Sequence, residues 1–239
     1  MKIIVLQHIA CETPGYIKDL MIKDGVDITT VQLDEGDLIP NDLSIYDGML
    51  CMGGPMDTWM VSEFPWLIEE KQKIKEFVLN LEKPFIGFCL GCQLLGEVLG
   101  GKVVKSNPPE IGILDINLQE ENKLDKLFSE FPKTIKALQW HSYEVSNLET
   151  NKDIALIASS SSTKYQIFRY KSHAYGVQFH IEIKSNTVSD WGCIPEYKNA
   201  LEAALGKGAL EIFNAKAKKN IHQMNSLAIL LYNNYKDLI

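Results

Sequence analysis

Apolar positions follow two rhythms along the 239 residues, and the change falls near residue 100. In the first hundred, short apolar runs alternate with amphipathic stretches. Lys2–Ile9 is a run of the kind a buried strand requires, and Pro14 then opens a helix reaching about Asp24. Asp27–Leu33 is rich in β-branched residues and predicts a second strand; Gly48–Met52 predicts a third. Met56–Phe64 reads as loop, and Pro65-Trp66 begins a long amphipathic helix through Leu81. Phe85–Phe88 predicts a fourth strand, turning at Cys89 into a helix from Cys92 to Leu99. Strands alternating with helices imply an α/β fold: an open, mostly parallel sheet with helices on both faces.

Beyond Gly101 the pattern is strand-like over Lys102–Ser106, Ile111–Leu118, Thr134–Val145, Ala155–Ser159, Tyr165–Tyr170 and Ala174–Phe179. A short helix is expected near Asp125–Phe131. These strands extend the sheet and add an antiparallel segment. From Pro195 to Ile239, apolar residues including Ala209, Ile212, Phe213, Ala217 and Met224 recur every three to four positions, the helical period. That tail reads as core packing. The simplest division is a single domain over residues 1–239, with a core to about 190 and a helical extension over about 191–239.

Composition narrows the function classes. The chain is 46% hydrophobic and 23% charged, ordinary for a soluble globular enzyme. No apolar run reaches the roughly 20 residues of a membrane helix, and the apolar start is too brief for a signal peptide, so a cytoplasmic location and no membrane partner are expected. A net charge of −7 offers no basic patch to replace phosphate counterions, which argues against nucleic acid. Five cysteines at irregular spacing do not suggest a disulfide framework. Cys11, Cys51, Cys92 and Cys193 are read as buried apolar fillers.

Candidate chemistry centres on Cys89. A turn this sharp between strand and helix needs very small residues two before and two after its apex, and both are glycine, Gly87 and Gly91. The apex side chain is thereby pushed out with a helix N-terminus behind it, the logic of a nucleophile elbow. A thiol with an ordinary pKa of ~8.5 needs activation, which a helix N-terminus and a histidine supply. Among five histidines, His180 has the best neighbourhood, with Glu182 two positions on and facing the same side of an extended segment. Glu182 would fix one ring tautomer and leave the other nitrogen for the thiol. Met52-Gly53-Gly54-Pro55 follows the third strand, where a bare backbone N–H can approach a substrate; the N–H groups of Gly54 and Leu90 are candidate oxyanion donors. Each feature alone has an ordinary reading: a surface histidine, a Gly-Gly-Pro turn. Cys89-Leu90-Gly91-Cys92 is also a C-x-x-C, which can mark a redox pair or half a zinc site. The remaining cysteines are scattered singly, so no metal is expected, and a redox pair leaves Gly87, the Gly-Gly loop and His180 unexplained.

Together, Gly53-Gly54-Pro55, Gly87 to Gln93 and Phe179-His180-Ile181-Glu182 resemble the class I (triad-type) glutamine amidotransferases. Order and spacing are similar to the glutaminase domain of GMP synthase, and more so to stand-alone amidotransferase-like proteins related to it. Leu6-Gln7-His8, Pro65-Trp66-Leu67 and Leu138-Gln139-Trp140-His141 share that wording, and the resemblance runs from residue 1 to about 205. It implies a flavodoxin-like fold, no cofactor, and a thioester mechanism in which Cys89 attacks the side-chain amide of glutamine while His180, oriented by Glu182, protonates the departing ammonia. It also places Gly53, Gln93 and the backbone of Ser142 and Tyr143 at the substrate. Ile181 stands where the family often has proline, and His141-Ser142-Tyr143-Glu144 departs from the wording of GMP synthase. No nucleotide-binding glycine loop accompanies the site. A separate synthetase subunit would then take the ammonia, or the chain hydrolyses a larger γ-glutamyl compound as γ-glutamyl peptidases do. A third reading is an inactive partner of a synthetase.

Overall fold

The computed structural model describes residues 1–120 and 125–239. Its elements are β1 (Lys2–Gln7), α1 (Gly15–Lys23), β2 (Asp27–Gln32), β3 (Gly48–Cys51), α2 (Trp66–Lys75, continued by a π turn over Glu76–Asn80), β4 (Phe85–Phe88) and α3 (Leu90–Val98). There follow β5 (Lys102–Leu118), β6 (Thr134–Ser146), β7 (Ile154–Ser159), β8 (Ile167–Tyr170), β9 (Ala174–Val177), α4 (Thr187–Trp191), α5 (Pro195–Leu205) and α6 (Ala209–Lys236). One sheet takes the order β2-β1-β3-β4-β9-β8-β7-β5-β6. Its first five strands are mutually parallel, and the antiparallel half begins where β8 pairs β9.

The parallel half is covered on both faces, and strand alternation divides the core in two. Ile3, Val5, Leu50, Ile86 and Phe88 face one layer with Ile17 and Met21 of α1 and Phe213 and Leu231 of α6. Ile4, Leu6, Met49, Cys51 and Phe85 face the other, with Leu67 and Ile74 of α2 and Leu94 and Leu95 of α3. Period-two alternation in strands buried on both sides explains why these runs are almost wholly apolar. Order 2-1-3-4 with β9 in fifth place is the flavodoxin-like arrangement, whose ligand crevice lies outside the carboxyl ends of the strands.

Three expectations are corrected. Lys102–Ser106 and Ile111–Leu118 are one strand, β5: pairing passes from Lys105↔Tyr143 to Glu110↔His141, and the intervening residues bulge opposite Ser142. Pro108 and Pro109 lack the N–H a ladder needs, and the bulge accommodates them. Near Asp125–Phe131 there are turns instead of a helix, because Asp125 Oδ1 accepts the N–H groups of Leu127 (2.9 Å) and Phe128 (3.1 Å). In α6 the expected apolar stripe is buried except at Ile221, which is half-buried, and Ile212, which is 63% exposed. Helix α4, missed in the sequence, precedes the tail. Among the described residues no helix is long and apolar enough to cross a membrane.

Candidate active site

The turn between β4 and α3 is as tight as its glycines require. A Cβ on Gly87 would lie 2.3 Å from the Gly91 carbonyl oxygen, and one on Gly91 would lie 2.2 Å from that of Cys51. Between them Cys89 sits at φ 48°, ψ −100°, in strained backbone for a residue with a side chain. Its N–H donates to Val177 O (2.9 Å), tying the elbow to β9, and Gly91 N–H donates to Met52 O (3.0 Å), tying it to the loop after β3. The Cys89 side chain lines a cavity of about 300 Å³ while remaining only 7% exposed.

His180 and Glu182 lie past the end of β9. Reciprocal backbone bonds between His180 and Leu138 (2.9 and 3.0 Å) hold this segment against β6. The His180 Nδ1 lies 2.6 Å from Glu182 Oε1, and the other Glu182 oxygen accepts the Ile181 N–H at 2.9 Å. Glu182 occupies Nδ1 and leaves Nε2 as the nitrogen free to serve Cys89, which acts electrostatically on the same imidazole. Burial disfavours the imidazolium, but the Glu182 carboxylate and the Cys89 thiol outweigh it and hold His180 well above the ordinary histidine value. The edge of the ring meets Trp191 at 4.7 Å.

Of the predicted residues, Cys89, Gly54, Leu90, Gln93, Ser142 and Tyr143 line the cavity. His180, Glu182 and Gly53 do not: the first two are buried behind it, 1% and 2% exposed. The N–H groups of Gly54 and Leu90 have no acceptor among the described residues. Gly53 lies behind the wall, its carbonyl bonded to His8 Nδ1 (2.8 Å) and its Cα so near Glu12 that a Cβ would stand 2.8 Å from the carboxylate. Gln93 donates to Tyr143 O (3.0 Å), which also faces His141 Nδ1 at 3.0 Å, so both side chains fix the Ser142–Tyr143 backbone. Trp59 packs edge-on against Tyr143 at 4.8 Å.

Sequence reasoning missed two groups of residues. Tyr197 and Ala200 of α5 line the cavity, with Trp191 from α4 behind them, so the tail read as core packing also builds a wall. Trp140 bridges the two, its Nε1 donating to Tyr197 O at 3.1 Å. Behind the Gly53-Gly54 loop His8 Nε2 contacts Glu70 Oε1 at 2.8 Å, both fully buried, and Cys51 donates to the same oxygen at 3.4 Å. Ligand-type atoms of these three lie within 4.8 Å of one another, the one such grouping among the described residues, and direct hydrogen bonds already join them. Burial pulls His8 down, but Glu70 more than offsets it and its pKa is raised. All five cysteines are free; Cys51 and Cys92 are buried fillers as expected, whereas Cys11 is half-buried and Cys193 exposed.

An open α/β sheet carrying a thiol elbow, a histidine–carboxylate pair and a glycine loop at the carboxyl ends of its strands defines a class, and the chain belongs to it: the family model of glutamine amidotransferase class-I matches residues 15–190. Among individual relatives, it is 32% identical to one subunit of the glutamine-hydrolysing GMP synthase of Sulfurisphaera tokodaii, over 67% of this chain and 78% of that protein. It is 26% identical to the glutamine amidotransferase-like protein YfeJ of Salmonella typhimurium, over 94% and 93% of the two chains. A glutamine amidotransferase from Thermotoga maritima, solved by crystallography, superposes with a TM-score of 0.85 at 27% identity, covering 99% of this chain and 98% of that one.

Proposed function

We propose that this chain hydrolyses the side-chain amide of glutamine to glutamate and ammonia through a thioester on Cys89. The observation that carries the reading is the 2.6 Å pairing of His180 Nδ1 with Glu182 beside a thiol on a strained elbow. Cys89 passes its proton to His180 Nε2 and attacks the amide carbon. The N–H groups of Gly54 and Leu90 hold the oxyanion, an interaction worth roughly 3–4 kcal/mol of barrier per donor removed. The imidazolium returns the proton to the departing nitrogen, ammonia leaves, and a γ-glutamyl thioester remains. Water, deprotonated by the same ring, then releases glutamate and restores the thiol. Gln93 acts chiefly by holding the backbone of Ser142 and Tyr143, which would meet the amino-acid end of the substrate.

Kinship with part of a glutamine-hydrolysing GMP synthase supports a separate synthetase subunit to which the ammonia passes. A second reading has its own observation: a groove of about 460 Å³ lined by Pro108, Pro109 and Ala204 adjoins the thiol cavity, sharing Ser142 and Ala200 with it. It would accommodate the leaving group of a γ-glutamyl compound larger than glutamine. The deciding experiment is turnover on glutamine and on a panel of γ-glutamyl peptides and amines, with mass spectrometry of the trapped adduct. Glutamine turnover lost in Cys89→Ser supports the first reading, and turnover confined to the panel supports the second. Silence on all of them, with no adduct, would leave a non-catalytic partner of a synthetase.

A further inference from the structure

Glu12 has no assigned part in this chemistry, yet its position is unusual. It follows the carboxyl end of β1, is 1% exposed, and takes the Tyr197 hydroxyl on Oε1 at 2.5 Å. Oε2, also buried, has no hydrogen-bond partner among the described residues. The loop that carries it is pressed between the two halves of the site. On one side the Glu12 carboxylate lies against Gly53, next to the proposed oxyanion donor Gly54. On the other, a Cβ on Gly15 would fall 2.1 Å from the Glu182 carbonyl oxygen, which accepts the Tyr16 N–H at 2.6 Å. Trp191 wedges the third side: its ring lies 4.7 Å from His180 and 5.7 Å from Tyr197, and its Nε1 donates to Cys11 O at 3.3 Å. Tyr197 meanwhile lines the cavity beside Cys89.

We propose that Glu12 and Tyr197 are a positioning pair for the Cys89–His180 proton exchange: the phenol keeps the carboxylate charged and aimed, and that buried charge steadies the imidazolium. The proposal rests on the mechanism given under Proposed function. A hydrogen bond donated to a carboxylate favours its charged form, and a charge in a water-poor interior acts on its neighbours far more strongly than in solvent. The groups that face Glu12 are His180 and Glu182 after β9, Tyr197 of α5 and His8 at the end of β1. Burial pushes its carboxyl up and Glu182 adds to the rise; His180, Tyr197 and His8 draw it only part of the way back, so it stays above the ordinary carboxylate value. Tyr197 holds Glu12 directly, and the cation that the Glu12 charge favours is His180, whose protonated form would deliver the proton to the leaving nitrogen.

The test is the pH profile of kcat/KM on the substrate identified above. Without the Glu12 charge the imidazolium is less stable, so His180 loses its proton at lower pH. In Glu12→Gln the basic limb is expected to move down by on the order of one pH unit. Tyr197→Phe should move it the same way by less, and the double variant no further than Glu12→Gln, since the two act as one unit. Lower rates with an unmoved basic limb would overturn the proposal, leaving the pair a packing role only. If Glu12→Gln does not fold, Tyr197→Phe, which removes one oxygen, carries the test alone. Cys89→Ser separates the layers: if it stays active the thioester mechanism fails, whereas an inactive Cys89→Ser with an unmoved limb overturns this inference alone.

Discussion

One methyl group separates the elbow from a turn that cannot close. Gly91→Ala would drive a Cβ to 2.2 Å from the Cys51 carbonyl oxygen, which belongs to rigid strand backbone and cannot yield. The expected loss is at least ~3 kcal/mol of stability together with turnover, read from denaturant melts alongside activity. Glu182→Gln is different in kind. It keeps the shape and removes the charge 2.6 Å from His180, so the fold should survive while kcat falls on the order of 10²- to 10⁴-fold in steady-state assays. At this scale the legible residues were those whose neighbours in sequence are their neighbours in space. Gly87, Cys89 and Gly91 share a turn, and His180 and Glu182 an extended segment. Glu12 and Tyr197 touch across 185 positions, and nothing local to either announces the other. The one available signal was a lone acid at the carboxyl end of a buried strand, where α/β sheets bind their ligands.

At the scale of elements, periodicity identified a buried face without saying what it faces. In α6 the recurring Ala209, Phe213, Ala217 and Met224 are buried as expected, but Phe213 packs 5.0 Å from Trp140, whose indole in turn anchors Tyr197. Phe213→Ala should therefore cost ~3–5 kcal/mol in thermal or chemical melts, and also weaken substrate binding by loosening the wall beside it. A melt shift without any change in KM would confine the helix to the core. The same blindness to partners explains the misread strand and helix. Lys102–Ser106 and Ile111–Leu118 read as separate strands because local chemistry cannot reveal a long antiparallel partner in β6 that tolerates a bulge. Asp125–Phe131 looked helical because apolar spacing cannot reveal that one carboxylate captures two backbone donors.

For the molecule as a whole, buried ionisable groups set the pH range of stability. Burial disfavours the charged forms of His8 and His180, but Glu70 and Glu182 respectively outweigh it, so both are raised in the folded state. A raised histidine contributes stability that is complete below its unfolded value of about 6.5 and lost as pH climbs through the folded value. Glu12, raised by burial, acts in the same direction over a window beginning near an unfolded value of about 4.3. Glu110 acts oppositely: burial alone would raise it, but His141 and Ser160 hold it below the usual carboxylate range, so its contribution is lost on acidification. Unfolding free energy measured across pH should thus peak at mildly acidic pH and decline towards alkali. A steady rise from pH 6 to 9 would contradict that assignment.

The strained backbone at Cys89, φ 48° and ψ −100°, sets the protein's chemistry against its robustness. Such a conformation costs of order 1–3 kcal/mol when a side chain is present and far less for glycine. Cys89→Gly should accordingly melt higher than the natural protein while turning over nothing. On the proposed mechanism, heat tolerance and turnover would then pull in opposite directions at this one position.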